Sequence, residues 1–237
     1  MCFSASASFA VSAALLPVSA FTINYAWRYD KRYLALAAFP LLFGVQQAFE
    51  GVLWLSIPIE ETAGLRISAL GFLFFAYLFW PLFVPLAANQ VETQLRRQRL
   101  FRWLTFIGLL FGLSLYLPLL LHPDWLVVGI SRHSILYEPV LIYDGYVSRT
   151  AVRAFYAMIV SIPLLFSTVA SLRHFGLLIF ASVILSAVFF IYAFVSIWCF
   201  FAAVLSLYII VILRDNKKPE LKAMVGISND HSMLGPR

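Results

Sequence analysis

The sequence predicts an all-α, polytopic membrane protein, and two observations carry that prediction. Hydrophobic residues make up 62% of the 237-residue chain and charged residues only 12%, whereas a soluble domain carries about 25% charged residues. The apolar residues also fall into runs of roughly 20 residues, long enough to cross a bilayer as helices. These runs cover residues 5–26, 34–57, 67–88, 103–121, 151–171, 175–194 and 196–213. We therefore expect one bundle of seven transmembrane helices over residues 1–213 and no soluble domain.

The distribution of basic residues predicts how the bundle is oriented. Most of the 17 Lys and Arg residues fall in alternate connections and in the tail, and such connections face the cytoplasm. We expect a multi-pass protein of the cell (inner) membrane with its N-terminus on the outer side. The tail, residues 214–237, is expected to be cytoplasmic and disordered. The same scatter of charge argues against a nucleic-acid partner despite the net charge of +6. The lipid bilayer is the expected partner, and the oligomeric state stays open.

Only one connection, residues 122–150, is long, and by the predicted orientation it lies on the outer side. A loop of this size is usually functional or disordered. It contains Trp125, Tyr137, Tyr143 and Tyr146 among β-branched residues, a composition too aromatic for a disordered segment. We predict a structured lid over the outer mouth of the bundle, with a short hairpin as one form it can take.

The most informative stretch is FGVQQAFEGVLWL, residues 43–55, because it places Glu50 inside a membrane-length apolar run. A carboxylate at membrane depth costs roughly 2.5 to 3.5 kcal/mol and usually faces the bundle interior. Gln46 and Trp54 lie four residues to either side of Glu50, and Gln47 lies three before it, so all four share one helix face. This pattern predicts a polar pocket roughly 10 Å below the outer boundary. Glu50 could instead be a protonated acid that only bonds a neighbouring helix.

Several other reactive side chains fall on the same side of the predicted membrane. Cys2 begins the first helix, Cys199 lies one turn into the seventh, and His133 is in the outer loop. With Glu50 they are ligand types suited to a transition metal such as zinc or copper. A Cys2–Cys199 disulfide and two unpaired thiols are the alternatives for the cysteines. The pocket candidates are Gln46, Gln47, Glu50, Trp54, Trp80, Tyr137, Ser196 and Trp198, and no catalytic residue is assigned.

Several familiar membrane mechanisms are excluded by absent residues. The seventh helix has no lysine for a retinal Schiff base, and no span contains histidines for an intramembrane zinc hydrolase. The chain has no GxSxG, HExxH or phosphate-binding glycine loop. With one charged residue in the spans, multi-site ion pumping also has little support.

Four segments together resemble an uncharacterised bacterial family of multi-span membrane proteins that begin Met-Cys-Phe-Ser-Ala. They are MCFSASAS, PLLFGVQQAFEGVLW, RHSILY and SIWCFFAA, and the resemblance covers residues 1 to about 213. Members often have histidine where this chain has Gln46 and Arg132, so two candidate metal ligands are replaced here. The resemblance implies no activity. The positions it marks are Cys2, Ser4, Gln46, Gln47, Glu50, Trp54, His133, Tyr137, Trp198 and Cys199.

These observations favour small-molecule or ion binding in the outer half of the bundle, in a sensor or accessory role. A membrane-embedded, metal-dependent enzyme acting on a lipid or quinone-like substrate is the alternative. A small transporter fits least well, because the chain shows no inverted repeat and an odd number of spans.

Overall fold

The structure is a computed structural model that describes residues 4–57 and 62–215. Within these residues the prediction of seven long helical segments is confirmed, and six of them are long and apolar enough to cross a membrane. The remaining helix, Arg149–Leu165, has 17 residues, at the short end of transmembrane helices. The six are Ala5–Tyr29, Lys31–Ser56, Ala63–Val91, Leu95–Leu121, Ala170–Phe189 and Ile191–Asp215. This agrees with a multi-pass membrane protein.

Short irregular turns divide some of these segments into separate α-helices. A π-helical turn, Phe74–Phe79, interrupts the third segment. The helices are α1 (Ala5–Tyr29), α2 (Leu34–Ala37), α3 (Phe39–Ser56), α4 (Thr62–Leu73), α5 (Trp80–Val91), α6 (Leu95–Leu121), α7 (Arg149–Leu165), α8 (Ala170–Phe189) and α9 (Phe194–Leu205).

The π-helical turn ends at Phe79, two residues before Pro81, and the proline explains its position. Pro81 cannot donate a helical hydrogen bond, and its ring crowds the carbonyl four residues earlier. The helical turn is wider there, because the Trp80 N–H donates to the carbonyl of Phe75, five residues back. Gly108 and Gly112 of α6 pack against the backbone of this region. The absence of a side chain at these two positions therefore lets α6 approach the irregular turn closely.

The boundary between α7 and α8 differs from the prediction. The hydropathy pattern places it near residues 172–174, whereas α7 ends at Leu165 and α8 begins at Ala170. The reason is a tertiary contact with Glu92, in the connection between α5 and α6. The Thr168 N–H donates to Glu92 over 2.8 Å and its hydroxyl over 2.7 Å. This contact stabilises an early turn that local hydropathy does not indicate.

Glu92 forms a buried junction between two connections at one end of the bundle. Its side chain is 3% exposed, and it also accepts hydrogen bonds from the N–H groups of Thr93 and Gln94, each at 2.9 Å. Ser167 donates a further bond over 3.3 Å. Burial raises the pKa of Glu92, but the hydrogen bonds from Gln94, Thr168 and Thr93 outweigh it and hold the pKa below its ordinary value of 4.5.

We expect Glu92 to make the stability of the protein depend on pH in the acidic range. Because its pKa is lower in the folded protein than in the unfolded chain, the unfolded state binds more protons between the two values. The contribution is therefore present above the unfolded pKa and is lost as pH falls through the folded pKa. Glu92→Gln should lower stability near neutral pH by about 2 kcal/mol and flatten this acid dependence.

Thermal unfolding of the purified protein across an acidic pH series tests this expectation. Glu138→Gln is the control, because Glu138 is an exposed carboxylate outside the junction. A Glu92→Gln variant with the wild-type acid profile would contradict the assignment.

The long connection between α6 and α7 contains an antiparallel hairpin. Its strands are β1 (Leu126–Ser131) and β2 (Ser134–Pro139), paired so that Ser131 faces Ser134. Ile135 is fully buried and Tyr137 is 8% exposed. The Tyr137 ring stacks on Phe72 of α4 with 5.0 Å between ring centroids. The hairpin thus covers one end of the bundle with an apolar face.

Candidate functional site

The buried acid Glu50 is part of α3 and faces α9. Its side chain is fully buried, as are those of Gln46 and Gln47. The Gln47 Nε2 group donates to the Glu50 Oε2 atom over 3.2 Å, and the Ser196 hydroxyl donates to the other carboxyl oxygen. Glu50 therefore faces the protein interior and connects α3 directly to α9.

Gln46 extends this polar network towards α5. The Trp80 indole N–H donates to the Gln46 Oε1 atom over 2.8 Å, and the Trp80 ring stacks on Phe43 with 3.9 Å between centroids. The Gln46 amide also lies beside the thiol of Cys199. Its Nε2 atom has no partner of normal hydrogen-bond geometry among the described residues. The Gln46 amide thus holds Trp80 and approaches Cys199.

Trp54 does not join this network. It packs instead in the hydrophobic cluster that includes Leu53, Phe72 and Tyr137. Its buried indole nitrogen has no hydrogen-bond partner in the part of the chain that the structure describes. Spacing along α3 placed Trp54 near Glu50, but its contacts are with the region under the hairpin.

The described residues do not assemble the predicted metal site. His133 is exposed at the tip of the hairpin, where its φ is 56°, whereas Cys199 is buried and has no disulfide partner among the described residues. Both Glu50 oxygens accept hydrogen bonds from protein groups. Cys2 lies outside the described residues. No group of three or more His, Cys, Asp or Glu side chains suited to a metal occurs in residues 4–57 and 62–215.

A cavity lies beside this network, between the π-helical turn, α7, α9 and the hairpin. Its empty volume is about 650 Å³, open mouth included. Trp198, at 6% exposed, and Cys199, at 7%, form part of its wall. Its polar and aromatic lining includes Tyr77, Tyr137, Arg149, Arg153, Tyr156, Phe194 and Trp198. We call it the polar cavity.

A second cavity shares three lining residues, Tyr156, Trp198 and Cys199, with the polar cavity. Its empty volume is about 420 Å³. The rest of its lining is apolar or aromatic and comes from α3, α5, α7, α8 and α9: Phe39, Phe43, Trp80, Val84, Val160, Leu164, Phe175, Ile179 and Ala202. We call it the apolar cavity.

Tyr156 marks the boundary between the two cavities. Its hydroxyl donates to the carbonyl of Ala76 in the π-helical turn, and its ring packs edge-on against Trp198, with 5.3 Å between centroids. Irregular π-helical turns are frequent at functional sites. Here Tyr156 of α7 contacts both the π-helical turn, through its hydroxyl, and α9, through its ring.

Sequence reasoning missed the contribution of α7 to the site. Arg149, Arg153 and Tyr156 all line the polar cavity, but hydropathy alone treats the two arginines as topology signals at a span end. Their spacing of four and then three residues places the three side chains on one helix face. That spacing is the signal that could have identified them.

The fold and site define a helical bundle of the multi-pass membrane type, with a buried carboxylate network beside an aromatic cavity. The chain belongs to the family of unknown function DUF6629, which it matches over residues 1–224. No curated protein matches the chain, and no solved structure does. The family membership agrees with the resemblance seen in the sequence and assigns no activity.

Proposed function

We propose that this multi-pass membrane protein binds a small molecule in the polar cavity, in a sensor or accessory role. One observation carries the proposal. Arg153 is half-buried in the wall of the polar cavity, yet it forms no ion pair or hydrogen bond within residues 4–57 and 62–215. A ligand with an anionic or acceptor group would supply a partner for this guanidinium.

In this proposal the polar cavity lies in the outer half of the bundle and the hairpin is its lid. The support is the charge pattern, since Arg96, Arg97 and Arg99 begin α6 at the end opposite the hairpin connection. Basic residues of this kind favour the cytoplasmic side. The N-terminus then lies outside, and a ligand reaches the polar cavity from the outer surface or the outer leaflet.

Glu50 acts in this proposal as a positioning residue. It is absent from the lining of both cavities. A ligand would therefore contact the side chains that line the cavity, and not Glu50 as the sequence predicted. Its bond from Ser196 fixes the start of α9, and Trp198 and Cys199 follow within one turn. The amides and acid of α3 thereby hold the cavity wall in place.

A bound compound that copurifies with the protein tests the proposal without assuming its identity. Val152 lines the polar cavity, so Val152→Phe should fill part of it and deplete the compound several-fold. The matched control is Val188→Phe, because Val188 is 66% exposed on α8 and lines neither cavity. Small molecules released from each purified, folded variant are compared by mass spectrometry. Equal recovery of every compound from both variants would contradict binding in the polar cavity.

A further inference from the structure

The size of the polar cavity limits its ligand to a molecule of a few atoms. The space open to the centre of a water-sized sphere is about 70 Å³, whereas the volume of about 650 Å³ includes the open mouth. On the first measure one water needs about 10 to 15 Å³, so there is room for roughly five waters or a ligand of about five non-hydrogen atoms. The adjoining apolar cavity, at about 30 Å³ on the same measure, adds little.

The charges in the wall favour a ligand with a single negative charge. Arg149 and Arg153 are the charged residues among the described residues that line the polar cavity. The Arg149 Nη2 group donates to the Asp144 carboxylate over 2.8 Å and to the Pro139 carbonyl over 2.9 Å, so its charge is already neutralised. Arg153 has no such partner in the part of the chain that the structure describes. A second negative charge on the ligand would therefore be buried without a partner, which is unfavourable.

Two hydrogen-bond donors, on Arg153 and Tyr77, lie near each other in this wall. The Arg153 guanidinium carbon lies 5.5 Å from the centre of the Phe194 ring, a contact that helps to hold the side chain in place. The Tyr77 hydroxyl is close enough to Arg153 for an electrostatic interaction, and it forms no hydrogen bond to another described residue. A carboxylate accepts from a guanidinium through both oxygens and keeps lone pairs for a hydroxyl. A spherical anion such as chloride cannot make the bidentate contact.

Much of the remaining wall is aliphatic and includes Leu115, Leu141, Val152 and Val195. A polar group placed against such side chains would lose its hydrogen bonds to water and gain none in return, which is unfavourable. An alkyl group has no such cost. A carboxylate that carries about one to three further carbons therefore matches both the wall and the available space.

We infer that the ligand of the polar cavity is a short monocarboxylate of the acetate-to-butyrate class. Its carboxylate accepts hydrogen bonds from Arg153 and Tyr77, and its alkyl group contacts the aliphatic part of the wall. This inference rests on the proposed function and specifies the ligand class. The planar fork of donors on arginine matches a carboxylate in a way that lysine does not reproduce.

Binding of propionate and of propionamide, its neutral analogue of the same size, tests the inference. Saturation-transfer NMR measures both with the full chain in nanodiscs of zwitterionic lipid. We expect propionate to bind about tenfold more tightly. Arg153→Gln should remove this difference, and Tyr77→Phe, which keeps the ring, should weaken propionate binding several-fold. Arg66→Gln is the control, because Arg66 is exposed and does not line the polar cavity.

Competition with other anions tests the carboxylate and its single charge. Malonate, a dianion with the same number of carbons, and chloride should each displace propionate about tenfold less well than acetate does. Displacement by chloride or malonate at the same concentration as acetate overturns the monocarboxylate class. Equal binding of propionate and propionamide overturns the anionic group, and an equal effect of Arg153→Gln and Arg66→Gln overturns the role of Arg153.

The ligand class and the proposed function can fail separately in these experiments. If no carboxylate binds while Val152→Phe loses a copurified compound that Val188→Phe retains, the monocarboxylate class is wrong and binding in the polar cavity stands. If both valine variants bind propionate equally and release the same compounds, binding in the polar cavity is wrong and the inference fails with it.

Discussion

Gly108→Ala is expected to lower the stability of the protein by about 3 kcal/mol or to prevent folding. A Cβ atom at this position would lie 2.0 Å from the carbonyl oxygen of Pro81 and 2.6 Å from its carbon. Both are backbone atoms, so no side-chain rotation relieves the clash and α6 must move away from α5. Small residues at such crossings permit close helix packing in membranes. Thermal unfolding of the purified variant, together with its size-exclusion profile, measures the effect.

Gly129→Ala is the matched control for this prediction. Nothing lies within 4 Å of the corresponding Cβ position in β1, so the same added methyl group should change stability by about 0.5 kcal/mol or less. Wild-type stability in Gly108→Ala would show that the close approach of α6 to Pro81 is wrong.

Glu50→Leu is expected to cost about 3 kcal/mol of stability. Leucine has a similar size but accepts no hydrogen bond, so the Gln47 amide and the Ser196 hydroxyl both lose their acceptor. Each buried polar group that loses its partner costs about 1 to 3 kcal/mol. The expected loss is therefore the cost of removing a helix-to-helix connection.

Glu50→Gln should cost only about 1 kcal/mol or less. The new amide keeps an oxygen for Ser196, and the Gln47 Oε1 atom, which has no partner among the described residues, can turn to accept from the new amide nitrogen. Thermal unfolding followed by tryptophan fluorescence compares the two variants. Equal losses in both would point to a role for the negative charge itself. Unchanged stability in Glu50→Leu would refute the connection between α3 and α9.

Much of this architecture could be predicted because membrane insertion depends on local composition. Apolar runs of sufficient length located the helical segments, and the single acid within a run marked Glu50 as a residue needing partners. Its partner Gln47 was predicted because i and i+3 positions on a helix are neighbours. These inferences need no knowledge of how distant segments pack.

The contribution of α7 and the role of Glu92 could not be predicted in the same way. Glu92 reads as an ordinary connection residue until Thr168, far away in sequence, donates to it. In the sequence, Arg153 is interpreted as a basic residue at a span end that sets topology. Only the packing of the π-helical turn and α9 makes it part of a cavity wall. Conversely, Cys199 and His133 have metal-ligand chemistry but differ in burial, and packing alone decides that.

By itself, the sequence determined that this chain forms membrane-length helices and that one of them carries an acid in its interior, because helix length and hydropathy are properties of consecutive residues. Only the tertiary structure decided which side chains share a cavity. Cavity walls are built from residues on separate helices, and their meeting depends on turns, prolines and small residues that set how closely those helices approach.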